Sequence, residues 1–201
     1  MVASSDNNPQ PTEVSAICLD ATGWFAGADH CPSPNFGPRP DGTEVNLLLI
    51  HNISLPPGEF GGGNVQRLFQ NCLDKNAHPY FEEICDMQVS SHLLIDRQGR
   101  LSQFVSLADR AWHAGESSFC GESNCNDFSI GIELEGTDTT PYSDEQYDSL
   151  VRVSRVIMAA YPALVLDRVV GHCDVAPGRK TDPGPAFDWP RYRAAMVHNE
   201  G

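Results

Sequence analysis

Basic residues are scarce in this chain of 201 residues: lysine and arginine together number 13 against 27 aspartates and glutamates, a formal net charge of −14. No segment concentrates the few cations, so the surface field repels nucleic acid and anionic membranes, and neither is expected as a partner. An acidic ligand would need a metal ion or a local cation to offset that field. An apolar run of membrane-spanning length is also missing, and Met1 to Ser15 has neither the basic start nor the apolar stretch of a secretory signal. A cytoplasmic protein is expected. The seven cysteines, at 18, 31, 72, 85, 120, 125 and 173, lack the short paired spacings of a structural zinc module. An odd number in a reducing compartment reads as free thiols packed as small hydrophobes. Were the compartment oxidising, Cys120 and Cys125 would be the pair to join.

The length fits one domain with one substantial core. Residues 1–15, rich in Ser, Asn, Pro and Asp, read as a flexible leader, and 16–201 as the domain. Four prolines between Gly27 and Gly42 make that stretch a loop lying over the core. Val45 to Ile50 is too short for a buried helix and too apolar for a surface strand, so it reads as a central strand with His51 at its C-terminal end. Val65, Leu68, Phe69 and Leu73 recur at helical spacing and predict a helix over about 64–75. Ser91 to Asp96 and Arg100 to Val105 flank Arg97-Gln98-Gly99 as a hairpin.

Further on, Ile130, Ile132 and Leu134 alternate with Gly131, Glu133 and Glu135, the period of a strand with two distinct faces. Ser143 and Gln146 form a capping box opening a helix that carries Leu150, Val153, Ile157 and Met158. Arg168 to Gly171 predicts a last short strand ending at His172, and Asp188 to Val197 a closing helix. Strands and helices intersperse without a strict parallel repeat, which implies an α/β fold, a mixed central sheet with helices on its faces.

Two histidines, His51 and His172, each follow a strand-like run, and strand ends in α/β sheets are where side chains from distant segments converge. Ten residues past His172 a Pro/Gly loop carries Asp182. Two imidazoles and a carboxylate suit a zinc ion with an open fourth position for hydrolysis. A histidine at a strand end is more often structural, however, and by spacing alone His92 and His113 compete for the same part. Strand alternation likewise leaves Glu133 and Glu135 equivalent.

Five segments change this balance: Ile50-His51-Asn52-Ile53-Ser54-Leu55-Pro56-Pro57, Ser91 to Asp96, Ala111-Trp112-His113-Ala114-Gly115, Cys125 to Asp138, and His172 to Gly184. Together and in this order they resemble the AmpD family, the cytoplasmic 1,6-anhydro-N-acetylmuramyl-L-alanine amidases, over about Gly23 to Tyr192. The resemblance implies the fold of peptidoglycan recognition proteins and phage-type amidases, and zinc held by His51, His172 and Asp182. It selects Glu133 as the residue that takes a proton from the attacking water and returns it to the leaving alanine nitrogen. It makes Lys180, in an extended loop two residues before Asp182, the group that stabilises the oxyanion. Asn52 and Trp112 become candidate substrate contacts, the amide for acetamido or peptide groups and the indole for a sugar face. A buried core indole is the alternative for Trp112, and His92 and His113 stay structural or behind the ligands.

The implied partner is an anhydro-muropeptide, cut between N-acetylmuramic acid and L-alanine during cell-wall recycling by a monomer. By depleting muropeptides such an enzyme would indirectly repress β-lactamase where those fragments are inducers. The family pattern places a basic residue before Cys125, where this chain has Asn124, leaving Arg110 among the other candidates for a peptide carboxylate. Two rivals are a recognition module that binds without cutting, which predicts a missing site residue, and a cysteine hydrolase using Cys173, which needs an activated thiol. Cys173 is expected to neighbour His172 on the strand end and point to the opposite face.

Overall fold

A computed structural model describes residues 17–198, so the leader expected over 1–15 lies outside the described residues. Six strands form the main sheet: β1 (Asp29–His30), β2 (Leu47–Ile53), β3 (Leu93–Ile95), β4 (Leu101–Gln103), β5 (Ser129–Glu135) and β6 (Val169–Gly171). Their order is β6-β2-β5-β3-β4-β1. The four strands from β6 to β3 run parallel, β3 and β4 form the antiparallel hairpin read from Arg97-Gln98-Gly99, and β1 joins β4 in parallel. The sheet is therefore mixed, as expected.

Leu47, Leu48, Leu49 and Ile50 are all fully buried because β2 is covered on both faces. On one face Leu48 and Ile50 join Ile130, Ile132 and Leu134 beneath α3 (Asp144–Ala160), through Leu150, Val153 and Ile157, and beneath Tyr192 of the closing helix Trp189–Val197. On the other, Leu47 and Leu49 pack with Ala114, Cys125, Phe128 and Val175. The same side of Leu94 is covered by two short helices, α1 (Asn64–Phe69) and α2 (Pro79–Ile84).

The capping box forms as read: Ser143 Oγ accepts from the Gln146 N–H, and Gln146 Oε1 accepts from the Ser143 N–H, both at 3.1 Å. The Gln146 amide then donates to the Glu135 and Ile95 carbonyls, stitching the start of α3 to the ends of β5 and β3. Gly99 sits at φ +74°, and a Cβ there would lie 2.5 Å from the Glu145 carbonyl oxygen, so the hairpin tip needs glycine for both reasons.

Four expectations change. Helix α1 stops at Phe69 rather than near 75, because Asn71 turns into the left-handed region (φ 56°) and Cys72 N–H bonds back to the Arg67 carbonyl. Leu73 is buried beyond the helix end, so its spacing imitated a further turn. β2 continues to Ile53, which places His51 within the strand rather than at its end. His172 and Cys173 are not on a strand end: they open a turn of helix, α4 (His172–Val175). All seven cysteines are free, but only Cys125 is buried.

The proline loop does lie over the core. Asn35 donates to Asn71 and to the Val89 carbonyl, and Arg39 donates to the carbonyls of Leu107, Asn126, Asp127 and Ser129. Burial pushes that guanidinium down to about 10, still fully charged near neutrality.

Candidate active site

Register places the chemistry. In the parallel ladder Glu133 pairs with His51, and Gly171, the residue before His172, pairs with Ile50. Neighbouring parallel strands lie about 4.8 Å apart, so three segments distant in sequence deliver His51, Glu133 and His172 to one end of the sheet. The turn after α4 returns Asp182: the Cys173 N–H donates to its backbone carbonyl at 3.0 Å, and the Tyr142 hydroxyl donates to the next carbonyl, that of Pro183, at 2.8 Å.

His51 Nδ1, His172 Nδ1 and Asp182 Oδ2 then form a triangle with edges of 3.0 Å. Among the described residues these are the group able to share a metal ion. The outer ring nitrogens say what the triangle can hold. His172 Nε2 lies 3.0 Å from the Ala114 carbonyl, a pure acceptor, so that nitrogen carries the proton and Nδ1 is a bare lone pair. Bare nitrogens and a carboxylate oxygen at such spacing repel unless a proton or a cation sits among them. Nitrogen and oxygen donors in this arrangement fit zinc, with the fourth side open.

Burial pushes the His51 imidazole down to about 4, against the pull of Asp182. It also holds Asp182 up, but the contacts to His172 and His51 outweigh it, and that carboxyl ends well below the ordinary range.

Glu133 is buried, and among the described residues its Oε2 has no hydrogen-bond partner. Burial first, then the nearby Asp182 charge, push its carboxyl well above the usual glutamate value, while Lys180 pulls it back. Glu135 is occupied elsewhere: its oxygens accept from the backbone N–H groups of Gly61 (2.5 Å) and Arg97 (3.3 Å). The structure thus separates two glutamates that alternation left equivalent.

A cleft of about 340 Å³ opens over this cluster, lined by Asn52, Trp112, Glu133, Lys180 and Asp182 on the polar side and by residues such as Tyr80 and Ile84 on the apolar side. Lys180 is exposed and directly follows the turn 177–179, which its N–H closes by bonding to the Ala176 carbonyl. Asn52 donates to Asp138 at 2.9 Å. Trp112 is half-buried on the cleft wall, not in the core.

Residues 41–185 match the family described as N-acetylmuramoyl-L-alanine amidase. The chain belongs to this amidase family. The 1,6-anhydro-N-acetylmuramyl-L-alanine amidase AmpD of Salmonella typhimurium (strain SL1344) is 56% identical over 179 residues, which are 89% of this chain and 95% of that protein. The crystal structure of a selenomethionine AmpD derivative superposes with a TM-score of 0.87 at 53% identity, covering 90% of this chain and 100% of that one. AmpDH3 from Pseudomonas aeruginosa, solved in complex with an anhydromuramic pentapeptide, gives a TM-score of 0.57 at 30% identity over 78% of this chain and 61% of that one.

Within the amidase fold, the residues to which the resemblance gave no catalytic or ligand role find places too. His113 touches His51 and lies behind the triangle, its Nδ1 3.0 Å from His51 Nε2. Periodicity could not have shown this, because neither residue is near the other in sequence. His92 is a core residue: its Nδ1 accepts the Gly131 N–H, which puts the proton on Nε2 toward the Asp109 carbonyl. Arg110 pairs with Asp127 and is not on the cleft lining, and Asn124 is an exposed left-handed residue (φ 59°). Cys173 is half-buried, and burial raises its thiol, the reverse of activation.

Proposed function

We propose that this cleft hydrolyses the amide joining the lactyl group of 1,6-anhydro-N-acetylmuramic acid to L-alanine in muropeptides released during cell-wall recycling. The observation that carries the reading is the triangle of His51, His172 and Asp182 beside a buried glutamate with a free oxygen, on a chain of the amidase family. Zinc held by those three residues would supply Lewis-acid polarisation of the carbonyl and a lowered pKa for the attacking water.

Glu133 accepts the proton of that water at Oε2 and later delivers it to the departing alanine nitrogen. Lys180, on the cleft rim and close enough to lower the proton affinity of both Glu133 and His51, sets its ammonium against the oxyanion. Asn52, its amide oriented by Asp138, pairs with the acetamido or first peptide group, and Trp112 covers the sugar face. A module that only binds would lack one of these parts, and all five positions, three for the metal, one for the proton and one for the oxyanion, are filled.

We place the reaction in the cytoplasm and read the chain as a monomer. Among the described residues no helix is long and apolar enough to cross a membrane, and the unpaired cysteines suit a reducing compartment. There the enzyme would lower the muropeptide pool and so indirectly repress β-lactamase wherever those fragments act as inducers.

The test is incubation of purified protein with anhydro-muramyl tripeptide, untreated, after chelation, and after zinc add-back, with free tripeptide followed by mass spectrometry. Release that chelator abolishes and zinc restores is the expected result. Tight binding with no release would leave a recognition module instead.

A further inference from the structure

His113 is not a metal ligand, yet the strand beside it is built around its ring. A Cβ on Gly131 of β5 would stand 2.5 Å from His113 Nδ1, so glycine is what lets the imidazole lie against the sheet. His113 is held there through its backbone and through its ring. The Asn126 side-chain oxygen accepts the backbone N–H groups of His113 (3.0 Å) and Ala114 (2.8 Å). Ser129 Oγ meets His113 Nε2 at 3.3 Å. The clamped pair thus supplies the partners of both imidazoles: Nδ1 of His113 for His51 and the carbonyl of Ala114 for His172.

The contact between His51 Nε2 and His113 Nδ1 can be made in two ways. Either His51 donates and His113 passes its own Nε2–H to Ser129, or His113 donates from Nδ1 and Ser129 donates to Nε2. The second places a proton on His51 Nδ1, inside the triangle, and closes it to a cation. Only the first leaves a lone pair facing His172 and Asp182.

We propose that His113 is a positioning residue of the metal centre, accepting the His51 Nε2–H so that His51 presents a bare Nδ1. Asn126 fixes the segment from which it does so. The inference rests on the metal reading of the site, and the two fail differently.

Zinc affinity of the full chain, measured by competition with a chromogenic chelator, separates them. If the wild-type chain binds no zinc, the metal reading falls and this inference with it. If it binds, His113→Phe, which keeps a ring and loses the acceptor, is expected to weaken zinc by about 10- to 100-fold, the usual effect of removing an outer partner of a ligating histidine. His113→Asn, whose side-chain oxygen falls near the position of Nδ1, is expected to restore most of that loss. Unchanged affinity in His113→Phe overturns the proposal, and so does an equal loss in both variants, which would mean that packing and not the acceptor matters. Nitrogen-15 NMR of the zinc-loaded wild type needs no variant to fold. Coordination through His51 Nδ1 with a hydrogen-bonded Nε2–H supports the assignment, and coordination through Nε2 overturns it.

Discussion

Glu133 and Glu135 share a strand face and a residue type, and their environments give them different work. Glu135 has its oxygens taken by two backbone N–H groups. Glu133 keeps one oxygen free in a buried cleft, an arrangement that costs stability and is retained at reactive groups. Folded and metal-free, Glu133 holds its proton well above the ordinary value of 4.5, whereas the unfolded chain releases it there. The folded state therefore binds more protons across that window, and this residue destabilises the protein increasingly as pH rises. Glu133→Gln is expected to lower the rate of amide hydrolysis by about 10²- to 10⁴-fold, the range for a positioned acid-base group. The same variant, metal-free, should denature at higher urea than wild type, by more at pH 8 than at pH 6. An active Gln variant would remove Glu133 from the mechanism, and an unaltered urea midpoint would mean that the carboxyl is not desolvated as the structure has it.

Strand β5 shows what was legible at the level of elements and what was not. Its alternation was plain, because the residues facing α3 are uniformly apolar and the others are not. Capping and hairpin chemistry were equally local, so Ser143, Gln146 and Gly99 declared themselves. The end of α1 did not, since a buried Leu73 beyond the helix keeps the same spacing by chance, and α2 gave too short an apolar repeat to register. Gly131 looked like a small member of the polar face, and its reason lies in His113, 18 positions earlier in the chain. Gly131→Ala tests that packing. Its backbone is not in the left-handed region, so any penalty is steric: about 1–3 kcal/mol, as for overpacking a filled site. The displaced ring should also weaken zinc binding. Thermal unfolding and chelator competition on one variant report both, and a variant as stable and as avid as wild type would show that the ring can move aside.

At the scale of the whole molecule, composition gave only the expectation of no nucleic-acid or membrane partner and order along the chain gave the α/β layering, but the convergence of four of the five segments on one cleft came from resemblance, not from periodicity. Four candidate histidines could not be ranked by pattern because the quantity that ranks them, register between parallel strands, is a property of the fold. That convergence has a thermodynamic consequence. Burial pushes His51 down to about 4 and His92 to about 3, and His113 well below its ordinary 6.5. In the unfolded chain all three protonate near 6.5, so below that pH the unfolded state binds more protons, and the stability present above 6.5 is lost as pH falls toward 4. Glu133, which keeps an extra proton when folded, offsets one of the three above pH 4.5. A net difference of two protons is about 3 kcal/mol per pH unit, against a total stability of about 5–15 kcal/mol for a domain. Metal-free protein is therefore expected to lose its thermal midpoint steeply between pH 6.5 and 4.5 and to unfold well before its carboxylates are all protonated. Zinc, binding the folded state alone, should raise the midpoint near pH 7.5 and lose that effect in acid as His51 protonates. A scan of unfolding temperature against pH, with and without zinc, measures both. A midpoint that stays flat from pH 7 to 5 would mean that the three rings take up protons as readily in the fold as in water, and that the histidines are not packed together in solution as they are here.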